Sequence, residues 1–176
     1  MTVLGIDLSL SSTGVAGRNW ADSIKSPAVA KTASLDEHWH RLVQVRSALV
    51  DYFDERLRLV VVEGPSYGSN DPGAHERAAL WWWLVGWCVT HHVPVAVVAP
   101  ATLKKYATGN GRATKRDVVR ATRMRRPEVP VNGDDEADAL NLAAMGLDWL
   151  GEPPVPPTPY QQDAVNVVRW PALVTP

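Results

Sequence analysis

Four carboxylates in this sequence occupy places where chemistry is easily built. Asp7 closes the apolar run Val3 to Ile6, and Glu63 closes the run Leu59 to Val62. Asp135 and Asp138 are three apart, which puts them on one face of a helix. Strand ends in an open α/β sheet are where ligand crevices form. Carboxylates gathered there repel one another and resist ionisation unless a divalent cation neutralises them. Hard Mg²⁺ or Mn²⁺ suits such oxygen ligands. Each acid alone has an ordinary explanation. Asp7 could serve a turn, and Asp134, Asp135 and Asp138 could complement a helix dipole, worth about 0.3–1 kcal/mol. Glu63, after four apolar residues, has little local reason to be acidic, so the four acids together point to a metal site.

A second pattern is the segregation of charge. Nine basic residues lie between Lys104 and Arg126, opposed only by Asp117: Lys104, Lys105, Arg112, Lys115, Arg116, Arg120, Arg123, Arg125 and Arg126. That segment carries +8, so a chain of net charge −1 carries −9 elsewhere. The basic segment includes a Gly-containing loop and a helix start, where backbone N–H groups and lysines can grip phosphates. An acidic cluster beside a basic patch suits metal-assisted chemistry on a polyphosphate backbone.

Positioning these groups requires an alternation of strands and helices. Strands are expected at Val3–Asp7, Gly14–Arg18, Ala28–Ala33, Arg58–Glu63 and Val93–Ala99, with turn residues at Ser9–Thr13. Ser34 and Glu37 form a capping-box pattern for a helix whose inner face would be Trp39, Leu42, Val43, Leu49, Val50 and Phe53. Further helices are expected over 74–92, 100–106, 114–125 and from about 132 to 150. Pro127 and Pro130 end the fourth helix of the chain. The inner face of the last would be Leu140, Ala143, Ala144 and Leu147. Early strands followed by alternating helices and strands imply an α/β fold with a mixed sheet. Half of the 14 prolines fall after Leu150, so residues 1–150 read as one domain and 151–176 as a proline-rich arm. Within that arm, Tyr160–Trp170 can form a short helix packed back on the body.

Composition narrows the class. With 176 residues, 45% hydrophobic and 21% charged, the chain suits one globular domain. The net charge excludes a uniformly basic coat protein but not a local basic face. A single cysteine, Cys88, excludes an intramolecular disulfide and a cysteine-rich zinc site, and its WWWLVGWCV setting suits a buried apolar role. The longest apolar run, Ala78–Val89, is too short for a bilayer, which takes about 20 residues, and no signal peptide is evident. A cytoplasmic protein is expected. None of the five histidines suggests a second metal site.

The motifs GIDLSLSSTGVA, VVVEGPSYG, KKYATGNGRATK and DDEADAL, in that order across residues 2–150, resemble the RuvC-type Holliday junction resolvases. The resemblance implies an RNase H-like fold with a mixed five-stranded sheet flanked by helices, and a homodimer that nicks two strands of a four-way DNA junction symmetrically. It implies two Mg²⁺ ions per active site, with Mn²⁺ able to substitute. It assigns catalysis and metal binding to Asp7, Glu63, Asp135 and Asp138, the D-x-x-D spacing favouring Asp135 over Asp134. It matches Lys104 and Lys115 to the family's DNA-contacting lysines; Arg112 and Arg116, from the same basic segment, are further candidates for positioning the DNA backbone. Tyr67 is the nearest candidate for the aromatic wedge that follows the second acid. The family's common Asp-Pro-Gly is Asp7-Leu8-Ser9 here, so that turn must differ. Other branched DNA (flaps, Y-junctions, forks) and a non-catalytic branched-DNA-binding module are the alternative readings. Trp81, Trp82, Trp83 and Trp87 belong either to the core or to a dimer interface.

Overall fold

The computed structural model describes residues 2–30, 32–65 and 73–172. Strands β1 (Thr2–Asp7), β2 (Ser12–Ala16), β3 (Ala21–Lys25), β4 (Leu57–Glu63) and β5 (Val95–Val98) form one sheet in the order β3-β2-β1-β4-β5. The β1–β2 and β2–β3 pairs are antiparallel and need only short turns, whereas β1–β4 and β4–β5 are parallel. Parallel pairs need crossovers. Helices α1 (Leu35–Val50) and α2 (Ala74–Thr90) lie in those connections, and α3 (Pro100–Thr108), α4 (Lys115–Arg125), α5 (Asp134–Trp149) and α6 (Pro159–Asn166) follow. The mixed five-stranded sheet with flanking helices is as expected. Among the described residues no helix is long and apolar enough to cross a membrane.

The period-two alternation of the strands sorts side chains between two layers. Val3, Leu59 and Val61 pack with Leu142, Met145 and Leu147 of α5. Leu4, Ile6, Val60 and Val62 point the other way, onto Leu49, Leu84 and Cys88 of α1 and α2. By parity, Asp7 and Glu63 fall on the α5 side. The Ile6↔Val62 register makes the two acids neighbours at adjacent strand ends.

Helix α5 lies against the sheet at backbone distance. A Cβ on Gly5 would come 2.0 Å from the Ala139 carbonyl oxygen, and one on Gly14 would come 2.0 Å from that of Asp135. Only glycine fits these two positions. The small Ala139 and Ala143 complete the contact, and every residue from Glu136 to Leu147 except Asp138 is buried. A surface helix buries one stripe; α5 is wrapped almost completely, and Asp138 escapes because it faces the site.

Two expectations are corrected. The third strand is Ala21–Lys25, and the described residues of 28–33 form none. The tight turn after β2, closed by Gly17 N–H donating to the Trp20 carbonyl (3.1 Å), returns the chain at once, and Pro27 then lacks a ladder donor. In α1 the buried residues are Val45 and Leu49, while Trp39 and Val50 are exposed. The layer offers α1 a narrow contact, so fewer of its apolar residues are covered. The capping boxes Ser34/Glu37 and Thr114/Asp117 both form.

Past α5 the chain folds back. Arg125 donates to the Pro156 carbonyl (2.6 Å), Gln161 of α6 is fully buried, and Trp170 stacks on Trp149 at 4.9 Å. A Gly14→Ala substitution should force α5 off the sheet and lower the melting temperature by on the order of 10 °C, following the usual cost of overpacking. Thermal unfolding followed by circular dichroism checks this; an unchanged midpoint contradicts the packing.

Candidate active site

Three acids from three separated parts of the chain converge at the open end of β1 and β4. A carboxylate oxygen from each of Asp7, Glu63 and Asp138 lies within 4.8 Å of the others. Sheet parity aims the first two, and the α5 contact at Gly5 and Gly14 brings the third over them. After Asp7 the chain turns through Ser9–Thr13, where the buried Thr13 hydroxyl donates to the Ser9 carbonyl (2.7 Å) and accepts from Ser9 N–H (3.2 Å). Asp135, one turn earlier on α5, stands beside the three and reaches toward Lys25 (3.9 Å). Its charge acts on Asp7 and Asp138 without its oxygens joining the close group.

The electrostatics are those of acids with too little compensation. Burial, then the charge of Glu63, holds the Asp7 carboxyl well above the carboxylate range. The two carboxyls interact directly, side chain to side chain. Burial also raises Glu63, with the charge of Asp138 next. Asp138 is pushed up to about 7 by burial and then by Asp7. Half-buried oxygen donors that resist ionisation together fit a hard divalent cation, which would favour their charged forms.

The nine basic residues divide by role. Lys105 pairs with Asp163 (3.7 Å), Arg123 donates to the Val131 carbonyl (2.9 Å), Arg125 binds the C-terminal arm, and Arg126 bonds Glu128 and the Arg18 carbonyl. These four hold the fold. Lys104 and Lys115 act electrostatically on Glu63, so both stand near the acids. Lys115 donates to Asp134. The side chains of Lys104, Arg112, Arg116 and Arg120 make no hydrogen bond or ion pair with described residues. Arg112 lies in a loop closed by Gly109 in the left-handed conformation (φ 81°) and by Asn110, whose side chain accepts from Arg112 N–H (2.9 Å).

Sequence reasoning missed three contributors. Trp81 Nε1 donates to the Glu63 carbonyl (3.2 Å) and so fixes the end of β4. Glu136 accepts from Asn132 N–H, tying the loop before α5. Arg120 joins Lys115 and Arg116 in lining an open groove between α4 and the start of α5. Acid-rich or tryptophan-rich runs carry no signal of which member does which task. Tyr67 lies outside the described residues. Cys88 is buried as expected, and burial pushes its thiol up to about 12.

A sheet ordered 3-2-1-4-5 with acids at the ends of β1 and β4 and on the helix laid across them defines the RNase H-like class. The solved structures agree on the fold. Thermus thermophilus RuvC aligns with a TM-score of 0.60 at 22% identity, over 90% of this chain and 100% of that one. The same protein in complex with a Holliday junction substrate aligns at 0.61 and 17% over the same shares. Among curated proteins, the crossover junction endodeoxyribonuclease RuvC of Salinibacter ruber is 31% identical over 155 residues, 81% of this chain and 83% of its own. That of Streptomyces coelicolor is 32% identical over 154 residues (81% and 79%), and that of Rickettsia bellii 30% over 157 (81% and 94%). No family model matches. The chain belongs to the RuvC crossover junction endodeoxyribonuclease family.

The raised carboxyls set a pH dependence. They hold protons in the folded chain that the unfolded chain releases at ordinary carboxylate pH, so their contribution to stability is full at low pH and is lost as pH rises through about 7. Without divalent cations, the melting temperature should fall by on the order of 5 °C between pH 5.5 and 8. Asp138→Asn should flatten that fall, and Mg²⁺ should reverse it at pH 8. A midpoint indifferent to both pH and Mg²⁺ contradicts the assignment.

Proposed function

We propose that this chain is a metal-dependent endonuclease that resolves Holliday junctions by symmetric nicking. The observation that carries the reading is the convergence of Asp7, Glu63 and Asp138 within 4.8 Å, with Lys104 and Lys115 close enough to act on Glu63. Family membership supports the same activity. Asp7, Glu63 and Asp138, with Asp135 alongside, would hold two Mg²⁺ or Mn²⁺ ions. When bound, such ions supply Lewis-acid polarisation of a phosphodiester and acidification of the attacking water. Hydrolysis forms a bond from water oxygen to phosphorus and breaks the bond to the 3′ oxygen, leaving a 5′ phosphate.

The chain's own residues position the backbone. Lys104, Lys115, Arg112 and Arg116 would bind phosphates on both sides of the scissile bond, a contact that fixes register without reading sequence. Trp81 keeps Glu63 in place through its carbonyl. Symmetric nicking needs two such sites, hence two copies. Trp82 (66% exposed), Gly86 and Val89 (65% exposed) fall at i, i+4 and i+7 on α2, an apolar stripe turned to solvent. A Cβ on Gly86 would meet nothing, so a second helix can approach closely there. This stripe is the proposed homodimer face, while Trp81, Trp83 and Trp87 pack inward.

Asp7→Asn should abolish cleavage of a four-way junction in Mg²⁺ while leaving its binding within about twofold; a purified variant that still nicks refutes the site. Running a flap, a Y-junction and linear duplex beside the four-way junction fixes the branch preference. Preferred cutting of the others would reassign the substrate, and binding without nicking would leave a recognition module. Trp82→Glu should turn a dimer into a monomer in sedimentation experiments. A wild-type monomer, or a variant that stays dimeric, contradicts the interface.

A further inference from the structure

Of the four acids in the DDEAD run the catalytic reading leaves two unused: Glu136, which ties the loop before α5, and Asp134. Asp134 lies outside the close group of Asp7, Glu63 and Asp138. It is the first residue of α5, and the partner it binds, Lys115, is the first residue of α4. Two helix starts thus meet through one ion pair. A lysine at a helix N-terminus opposes the dipole there, so its placement needs a reason outside its own helix. Both residues line an open groove of about 640 Å³, with Arg116, Arg120, Asn132 and Gly133 among its walls, and Asp134 is the one acid lining it.

The pair does not hold Lys115 away from the acids. In this position the ammonium acts on Asp7, Glu63 and Asp138 alike. A lysine on a four-carbon stem samples many positions unless something fixes it. Its ammonium has three donors, so one can remain on Asp134 while the others meet a phosphate oxygen.

We propose that Asp134 is a positioning residue that pins the Lys115 ammonium at the groove mouth, pre-set for the phosphate at the cleavage site. The inference rests on the endonuclease reading. It makes Asp134 act only through Lys115, by removing disorder that would otherwise be lost at the moment of reaction.

The test uses the full chain and four variants: D134N, D134E, K115A and K115A/D134N. Junction affinity is measured with Ca²⁺ in place of Mg²⁺, and cleavage in single turnover at saturating protein. D134N should bind as tightly as wild type or more tightly, since a negative charge is gone, yet cleave about tenfold more slowly. D134E should recover most of the rate, and D134N should cost nothing further in the K115A background. In the DNA-free protein, ¹⁵N spectra of the lysine ammonium groups should lose one protected resonance in D134N. D134N cleaving at the wild-type rate or faster would make Asp134 a mere competitor and overturn the proposal, as would a full D134N effect without Lys115. A wild-type protein that cuts no branched DNA would instead sink the endonuclease reading, and the ammonium spectrum would still report whether the pair pins Lys115.

Discussion

The backbone contact of α5 with β1 and β2 is the constraint on which the rest depends. With no side chain between them at Gly5 and Gly14, the helix sits low enough for Asp138 to reach acids rooted in the sheet. A helix held at an ordinary side-chain distance would carry Asp138 too far out. The same closeness explains why α5 is buried almost all round and why small residues, Ala139 and Ala143, face the strands. It also fixes Asp134 at the helix start, where it can meet Lys115.

The site this creates strains against itself. Three acids in a half-buried place raise one another's affinity for protons, and the neighbouring lysines relieve this only in part. The arrangement makes sense as a receptor for positive charge. The basic residues then divide labour: four hold the fold and the C-terminal arm together, and others remain turned to solvent around the groove. The near-zero net charge is the sum of two opposite local excesses, which is why the bulk figure says nothing about a nucleic-acid partner.

Much of the fold was legible because its signals are local and periodic. The apolar runs ending at Asp7 and Glu63 marked two strands, each closing on an acid. Ser34/Glu37 and Thr114 marked helix starts. The third strand was not legible: Ala21–Lys25 is an edge strand with polar Asp22 and Ser23, defined by pairing with β2 and not by its own pattern. The inner face of α1 was misread because tertiary contact, not periodicity, decides which apolar residues are covered. At the site, strand ends and the three-residue spacing singled out the four acids, and Lys115 was named through the family resemblance. The unequal standing of Asp135, the Trp81 bond to Glu63 and the Asp134–Lys115 pair all depend on which elements meet in space, and no local pattern encodes that.

The most direct test of the central claim, that the convergent acids form a divalent-metal centre, is anomalous diffraction from crystals grown with Mn²⁺. The account predicts anomalous density between the carboxylates of Asp7, Glu63 and Asp138, absent from crystals of Asp7→Asn. Density elsewhere on the molecule, or none at saturating Mn²⁺ in the wild type, would contradict it.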